Sequence, residues 1–238
     1  MSKRAVLVDV GGTLVPDNLP DNPGVREVRL ARLAALLPEL DAGQLAQFLD
    51  RLHEDAREER DQLVQRTDEM IAGALAWRWT LGDLAARAGQ VCRVMGRPTG
   101  HEHPPFPGHQ DLMRTAGELG LRRVLVSNTA WTSDEDWLQW WMAARGLTGL
   151  VDGIVTSYSV RRRKPDGAMF ERGLHSAGCS ADEAIFIGDR EAKDIEPALA
   201  LGMTTIRVAI QEPPSPTRAD RLVRSLAEAT EALRTLAA

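Results

Sequence analysis

"RAVLVDVGGTLVPD" (residues 4–17) decides how the rest of the chain is read. Four apolar residues, Ala5 to Val8, run straight into Asp9, and two glycines, a threonine and a leucine follow within the next five positions. A short, continuous apolar run suits a strand buried on both faces, as in parallel sheets. An acid and a glycine turn at its end look like the rim of a site.

Comparable runs recur downstream: "RRVLVSN" (122–128), "GIVTS" (153–157), "AIFIGD" (184–189) and "TTIRVA" (204–209). Helix-length segments lie between the later ones, at Trp137–Arg145, Ala168–Ala177 and Ile195–Leu201. This alternation predicts an α/β fold, a Rossmann-like parallel sheet with helices on both faces. Sites in such sheets lie beyond the carboxyl ends of the strands. Asp9, Ser127, Ser157 and Asp189 occupy those ends and are expected to converge.

Residues 21–100 differ. They are rich in Ala, Leu, Arg, Glu and Gln, carry no strand-like run, and space their apolar residues as amphipathic helices do. "GRPTGHEHPPFPGH" (96–109) is dense in Pro and Gly and reads as the hinge back to the sheet. The expected organisation is a discontinuous core, residues 1–16 and 106–238, with an all-helical insert at 17–105. In the tail, "QEPPSPT" (211–217) reads as a linker and Arg218–Leu236 as one closing helix.

The bulk numbers exclude several classes. The 238 residues are 43% hydrophobic and 26% charged, the composition of a soluble globular protein. A net charge of −5 argues against a nucleic-acid partner. The absence of a membrane-length apolar run, and an N-terminus without signal-peptide shape, argue against a membrane partner. Cys92 and Cys179 form neither a CxxC pair nor a disulfide framework, so a cytoplasmic protein with reduced thiols is expected. Only three lysines occur, Lys3, Lys164 and Lys193; nearly all positive charge is arginine. The sequence says nothing of oligomeric state.

Four stretches in chain order, "DVGGTL" (9–14), "VSN" (126–128), "RRRKPD" (161–166) and "GDREAKD" (188–194), resemble the four motifs of the haloacid dehalogenase (HAD) superfamily. The resemblance covers residues 4 to about 14 and 107 to 210, and the helical insert stands where that family's C1-type cap does. It implies a HAD-like hydrolase: a Mg²⁺-dependent phosphatase that acts through an aspartyl-phosphate on a small phosphorylated metabolite.

Under this resemblance Asp9 is the nucleophile, dividing one hard step into two; taken alone, an Asp before Gly is also common turn chemistry. Asp9, the Gly11 carbonyl and Asp189 are implied as metal ligands, with Asp194 orienting a ligand or water from behind. Hard carboxylate oxygens suit Mg²⁺, and a divalent ion with Lys164 would neutralise three acids that otherwise repel. The plainer reading of "GDREAKD" is a helix start with acids near its positive end. Lys164 is implied to touch both nucleophile and phosphoryl oxygen, which a compact ammonium does better than a planar guanidinium; alternatively it ends a solvated basic run. Arg161 to Arg163 receive no role. Gly12, Thr13, Ser127 and Asn128 are implied to hold phosphoryl oxygens through N–H and hydroxyl groups at strand ends, and "TSDE" (132–135) has the shape of a capping box. His101 and His103 form either a metal pair or an exposed linker, with His109 beside them in the hinge; Trp131, Trp137, Trp140 and Trp141 read as packing.

One position departs from the family. Its phosphatases carry a second aspartate two residues after the nucleophile, which protonates the leaving group; here that residue is Gly11. A positioned acid–base group contributes roughly 10²–10⁴-fold. The substrate is therefore expected to have a good leaving group, or its proton comes from elsewhere, with Asp17, Asp21, His101 and His103 as candidates. A phosphonatase would need a cap lysine, and none lies between Lys3 and Lys164. A mutase would suffer even more from the change. A 2-haloacid dehalogenase, whose halide leaves without a proton, and a non-catalytic binding or regulatory protein remain as alternatives.

Overall fold

Six parallel strands form one sheet in the order β3-β2-β1-β4-β5-β6. They are β1 (Ala5–Val8), β2 (Arg122–Ser127), β3 (Gly153–Thr156), β4 (Ala184–Gly188), β5 (Thr204–Val208) and β6 (Arg221–Val223). The structure, a computed structural model, describes residues 2–16, 22–57, 81–129, 140–211 and 215–237. β1 occupies the centre, with Val8 opposite Leu125 on one side and Ile187 on the other. Strand order reverses around it, and the crevice at such a reversal is where open α/β sheets bind ligands.

Side chains alternate between the two faces of a strand, and both faces here are apolar. Val6, Val8, Leu125, Ile185 and Ile187 pack on one side with α4 (His109–Glu118) and α7 (Leu226–Ala237), through Leu112, Met113, Leu226 and Leu233. Leu7, Val124, Val126 and Phe186 pack on the other with α5 (Gly167–Ala177) and α6 (Glu196–Ala200). Phe170 of α5 meets Phe186 with ring centroids 4.9 Å apart and planes tilted by 49°. The α5 helix starts where Asp166 accepts a hydrogen bond from Ala168 N, and stops at Gly178, whose φ of +68° suits a helix terminator. The result is the three-layer α/β core expected from the alternating pattern.

The tail corrects one expectation. Residues 218–236 are not a single helix: Arg221–Val223 adds an edge strand, Ile206 pairing with Arg221, before α7 begins. Asp220 accepts from Thr205 N and Oγ1 and pins the edge. Ser225 Oγ accepts from Glu228 N while Glu228 Oε2 accepts from Arg224 N, and this reciprocal pair sets the helix start. The "SLAE" spacing carries that signal; a three-residue strand with two exposed members leaves no apolar run to announce it.

Residues 22–57 and 81–96 form α1 (Pro23–Leu36), α2 (Ala42–Arg57) and α3 (Leu81–Gly96). Asn22 Oδ1 caps α1 by accepting from Gly24 N and Val25 N, with Pro23 in the first turn. Leu33, Leu37, Leu45, Leu49, Val91 and Met95 make an apolar cluster separate from those of the sheet. Asn22 Nδ2 donates to the His101 carbonyl, and Phe106 N donates to the Leu14 carbonyl, so the outgoing and returning segments lie side by side. His101 and His103 are exposed. Among the described residues, no helix is long and apolar enough to cross a membrane.

Arg123 on β2 holds Asp152, just before β3, through Nε and Nη2, and Arg123 N donates to the same carboxylate. The Arg123 hydrogen bond draws Asp152 down from 3.8 to about 2, against a smaller opposing effect of burial. A depressed folded-state pKa stabilises fully above the ordinary value and is lost as pH falls through the folded one. Asp152→Asn should therefore cost about 1 kcal/mol at pH 7. In urea denaturation, its gap to the native protein should close between about pH 4 and pH 2.

Candidate active site

The turn after β1 sets the direction of Asp9. Asp9 N donates to the Ile187 carbonyl, extending the strand by one bond. The chain then curls on itself, the Val10 carbonyl accepting from Thr13, Leu14 and Val15 N. This curl brings Thr13, fully buried, back under Asp9, where Thr13 Oγ1 donates to Asp9 Oδ2 at 3.0 Å. Thr13 thus turns toward Asp9, and neither Gly12 nor Thr13 lines the cavity described below.

Lys164 completes the other side. Its Nζ donates to Asp9 Oδ1 at 2.5 Å and to Asp194 Oδ1 at 2.6 Å, and it lies 5.6 Å from the centre of the Phe186 ring. All three charged groups are buried. Burial raises Asp9 to about 6 despite the opposing pull of Lys164, and Asp194 pushes it the same way. Burial would lower Lys164, yet Asp194 and Asp9 together outweigh it and keep the ammonium charged. Asn128 grips the lysine's backbone from both sides: Nδ2 donates to the Lys164 carbonyl at 3.0 Å, and Oδ1 accepts from Lys164 N at 2.8 Å. The Asn128 amide is thereby committed to placing the lysine.

The loop after β4 supplies the other acids. Residues Glu191–Ile195 make a π-helical turn, a device often met at functional sites. Asp194 Oδ2 accepts from Arg190 N, closing the loop over the strand end. Two glycines make the approach possible. Gly12 has φ +77°, and a Cβ there would lie 2.2 Å from Asp189 Oδ2; a Cβ on Gly188 would lie 2.5 Å from that of Asp194. Behind the loop, buried Arg207 donates Nε to the Asp189 carbonyl and Nη1 to Glu191 Oε2. Glu191 also accepts from Thr217 Oγ1 and Arg218 N, which ties the tail segment to the back of the site.

These elements enclose a cavity of about 170 Å³ at the strand ends. That is small beside the ~300–1,000 Å³ of pockets for drug-sized ligands. Asp9, Gly11, Ser127, Lys164, Asp189 and Asp194 all line it, with Asn128 alongside. Carboxylate oxygens of Asp9, Asp189 and Asp194 lie within 4.8 Å of one another, a hard-oxygen set that fits Mg²⁺. Ser157 stays outside, its hydroxyl donating to the Thr129 carbonyl. Arg163, Arg190 and Lys193 line the cavity as well, although the sequence alone gives them no role. A signal was present: two of only three lysines fall in motif-like stretches.

Other candidates resolve differently. The "HEH" pair does not join the acidic cluster. His109 sits with its two ring nitrogens 3.0 Å from the Phe106 and Arg145 carbonyls, cross-linking two turns. Trp141 is buried against the sheet with the Arg145 guanidinium 4.2 Å from its ring centre, and Trp140 faces Arg97. Asp17, Asp21, Trp131, Trp137 and the "TSDE" segment lie outside the described residues.

An α/β sheet of this order with acids and a buried lysine converging at its central strand ends defines a hydrolase of the HAD type. The chain belongs to the haloacid dehalogenase-like hydrolase family, whose model matches residues 3–202. It is 32% identical over 105 residues to a glyceraldehyde 3-phosphate phosphatase of Methanocaldococcus jannaschii, and 30% identical over 105 residues to the protein of that name from Methanothermobacter thermautotrophicus. Each alignment spans 44% of this chain and 44% of the relative. Among solved structures, a 2-haloacid dehalogenase from Pseudomonas syringae shares the fold with a TM-score of 0.70 at 20% identity, covering 98% of this chain and 99% of that one. A HAD phosphatase from Thermococcus onnurineus does so with 0.62 at 18%, covering 97% of each.

Gly12→Ala should leave far-ultraviolet circular dichroism unchanged, because the sheet core is untouched. Its Cβ would displace the Asp189 carboxylate and strain a left-handed residue by about 1–2 kcal/mol. Hydrolase activity should fall at least about 100-fold, a loss much greater than any fall in melting temperature implies.

Proposed function

We propose that the protein is a Mg²⁺-dependent phosphatase acting through an aspartyl-phosphate on a small phosphorylated metabolite. The observation that carries this reading is the meeting of Asp9, Lys164, Asp189 and Asp194 at one small cavity. An oxygen of Asp9 attacks phosphorus, and the bond to the leaving oxygen breaks with its electron pair. Water then attacks the phosphorus of the aspartyl-phosphate, returning Asp9 as a carboxylate and releasing inorganic phosphate. Lys164 fixes the attacking oxygen and offsets charge on the phosphoryl group, while Thr13 holds the other Asp9 oxygen in place. Ser127, at the cavity wall, is placed to donate to a phosphoryl oxygen.

Asp9, Asp189 and the Gly11 carbonyl would hold the Mg²⁺, and Asp194, engaged by Lys164 and Arg190 N, would orient the set. When bound, the ion withdraws charge from the phosphoryl oxygens. Residues 17–105 are read as a cap over the strand ends of the core formed by 1–16 and 106–238. The phosphatase names of the sequence relatives support the phosphoryl class. Asp194 would hold Lys164 in a dehalogenase too, but that reading leaves the Asp189 carboxylate without a use, so the acid cluster favours phosphorus.

Asp9→Asn should reduce 4-nitrophenyl phosphate turnover by at least about 10³-fold. Chelation by EDTA should abolish native activity and added Mg²⁺ restore it; equal rates for native protein and variant would remove the nucleophile. Gly11→Asp should raise turnover of alkyl phosphates about 10–100-fold while changing aryl phosphates little, because it restores a proton donor. A uniform fall across leaving groups would show that the position serves backbone shape instead.

A further inference from the structure

Four cationic side chains line the cavity, Arg163, Lys164, Arg190 and Lys193, against the three carboxylates of Asp9, Asp189 and Asp194. Lys164 is buried and committed to Asp9 and Asp194. The other three are less buried: Arg163 and Lys193 are half-buried and Arg190 is exposed, its Nε 3.8 Å from Asp189 Oδ2. They come from two directions. Arg163 precedes Lys164 on the loop that Asn128 clamps, while Arg190 precedes, and Lys193 lies within, the π-helical turn after β4. A phosphoryl dianion and the divalent ion of the proposed mechanism offset each other, so the lining carries one more cation than it has acids.

Gly11 points to the same class independently. A leaving alkoxide needs a proton that residue 11 cannot give, whereas a carboxylate or phosphate departs as a stable anion and needs none. Guanidinium forks suit such anions, binding two oxygens at once.

We propose that Arg163, Arg190 and Lys193 form a second anion subsite that holds a charged leaving group, and that the substrate is a phosphoric anhydride, an acyl phosphate or a diphosphate. The inference rests on the phosphatase reading and names its substrate class. Asp9 attacks the terminal phosphorus, and the anhydride P–O bond breaks. Its electron pair stays on the departing carboxylate or phosphate, which the three cations receive. Water then cleaves the aspartyl-phosphate, both of its protons leaving first on the dihydrogen phosphate formed.

The test compares pyrophosphate, acetyl phosphate, 4-nitrophenyl phosphate and glycerol 3-phosphate on the full chain with Mg²⁺. Arg163→Gln, Arg190→Gln and Lys193→Gln are measured individually. Each variant should lose about 10–100-fold in kcat/KM on pyrophosphate, the worth of a charge-assisted hydrogen bond. On 4-nitrophenyl phosphate, whose departing phenolate offers one oxygen rather than the two that a fork binds, each should lose less than about threefold. A loss shared by acetyl phosphate assigns the subsite to carboxylates too; a loss confined to pyrophosphate assigns it to phosphate. Equal losses on all four substrates, or none on any, would overturn the subsite while leaving the phosphatase standing. Calorimetric titration separates the two readings further. The native protein should bind methylenediphosphonate about tenfold or more tighter than methylphosphonate, and the triple glutamine variant should lose that preference. Persistence of the preference in the triple variant would refute the inference; its loss there in a protein that hydrolyses none of the esters or anhydrides would support the subsite and reject the phosphatase.

Discussion

A buried ammonium held between two buried carboxylates is the constraint around which this molecule is arranged. Removing three charges from water costs several kcal/mol for each ion, and mutual attraction offsets this only when geometry is good and the remaining lone pairs are satisfied. Both conditions are met here. Lys164 reaches Asp9 and Asp194 at short range, Thr13 takes the second oxygen of Asp9, and Arg190 N takes that of Asp194. Loss of any one partner would leave an uncompensated charge in the interior. The three segments that carry them must therefore arrive together, and β1, β4 and the Asn128-clamped loop are positioned to that requirement.

The same centre depends on side chains that are missing. Gly12 and Gly188 create the clearance through which Asp189 and Asp194 enter, and Arg207 braces the loop from behind through the Asp189 backbone carbonyl rather than its carboxylate. Shape and charge are thus supplied by different residues. Glycines and buried hydrogen bonds decide where the acids stand, while the acids and Lys164 decide what the cavity attracts.

Much of this was readable in the sequence, for physical reasons. Fully buried parallel strands must be apolar along their length, so β1 and β4 announce themselves, and acids at the ends of such runs stand out. β6 did not, because a short polar edge strand needs no such run. The α/β alternation gave the layers, and the order of the four motifs gave the family. Harder to see was how the small polar groups divide their work. Asn128 and Thr13 suit a phosphate binder equally well in sequence, yet the fold turns one to the Lys164 backbone and the other to Asp9. Arg163, Arg190 and Lys193 look like an ordinary solvated charge run until the strand ends gather them around one opening.

The position of β1 at the middle of the sheet carries a consequence for how the chain is made. Its four-residue run toward Asp9 is made before the other strands of the sheet, but its hydrogen-bonding neighbours begin at residues 122 and 184. Domains fold as units during synthesis, and pairings so distant along the chain close late. This wholly apolar strand therefore waits, unpaired, until those neighbours have emerged. Meanwhile α1 to α3, whose apolar cluster is local in sequence, can gather without it. Nascent chains stalled before residue 184 would expose a sticky, half-paired edge, the kind of intermediate on which chaperones act.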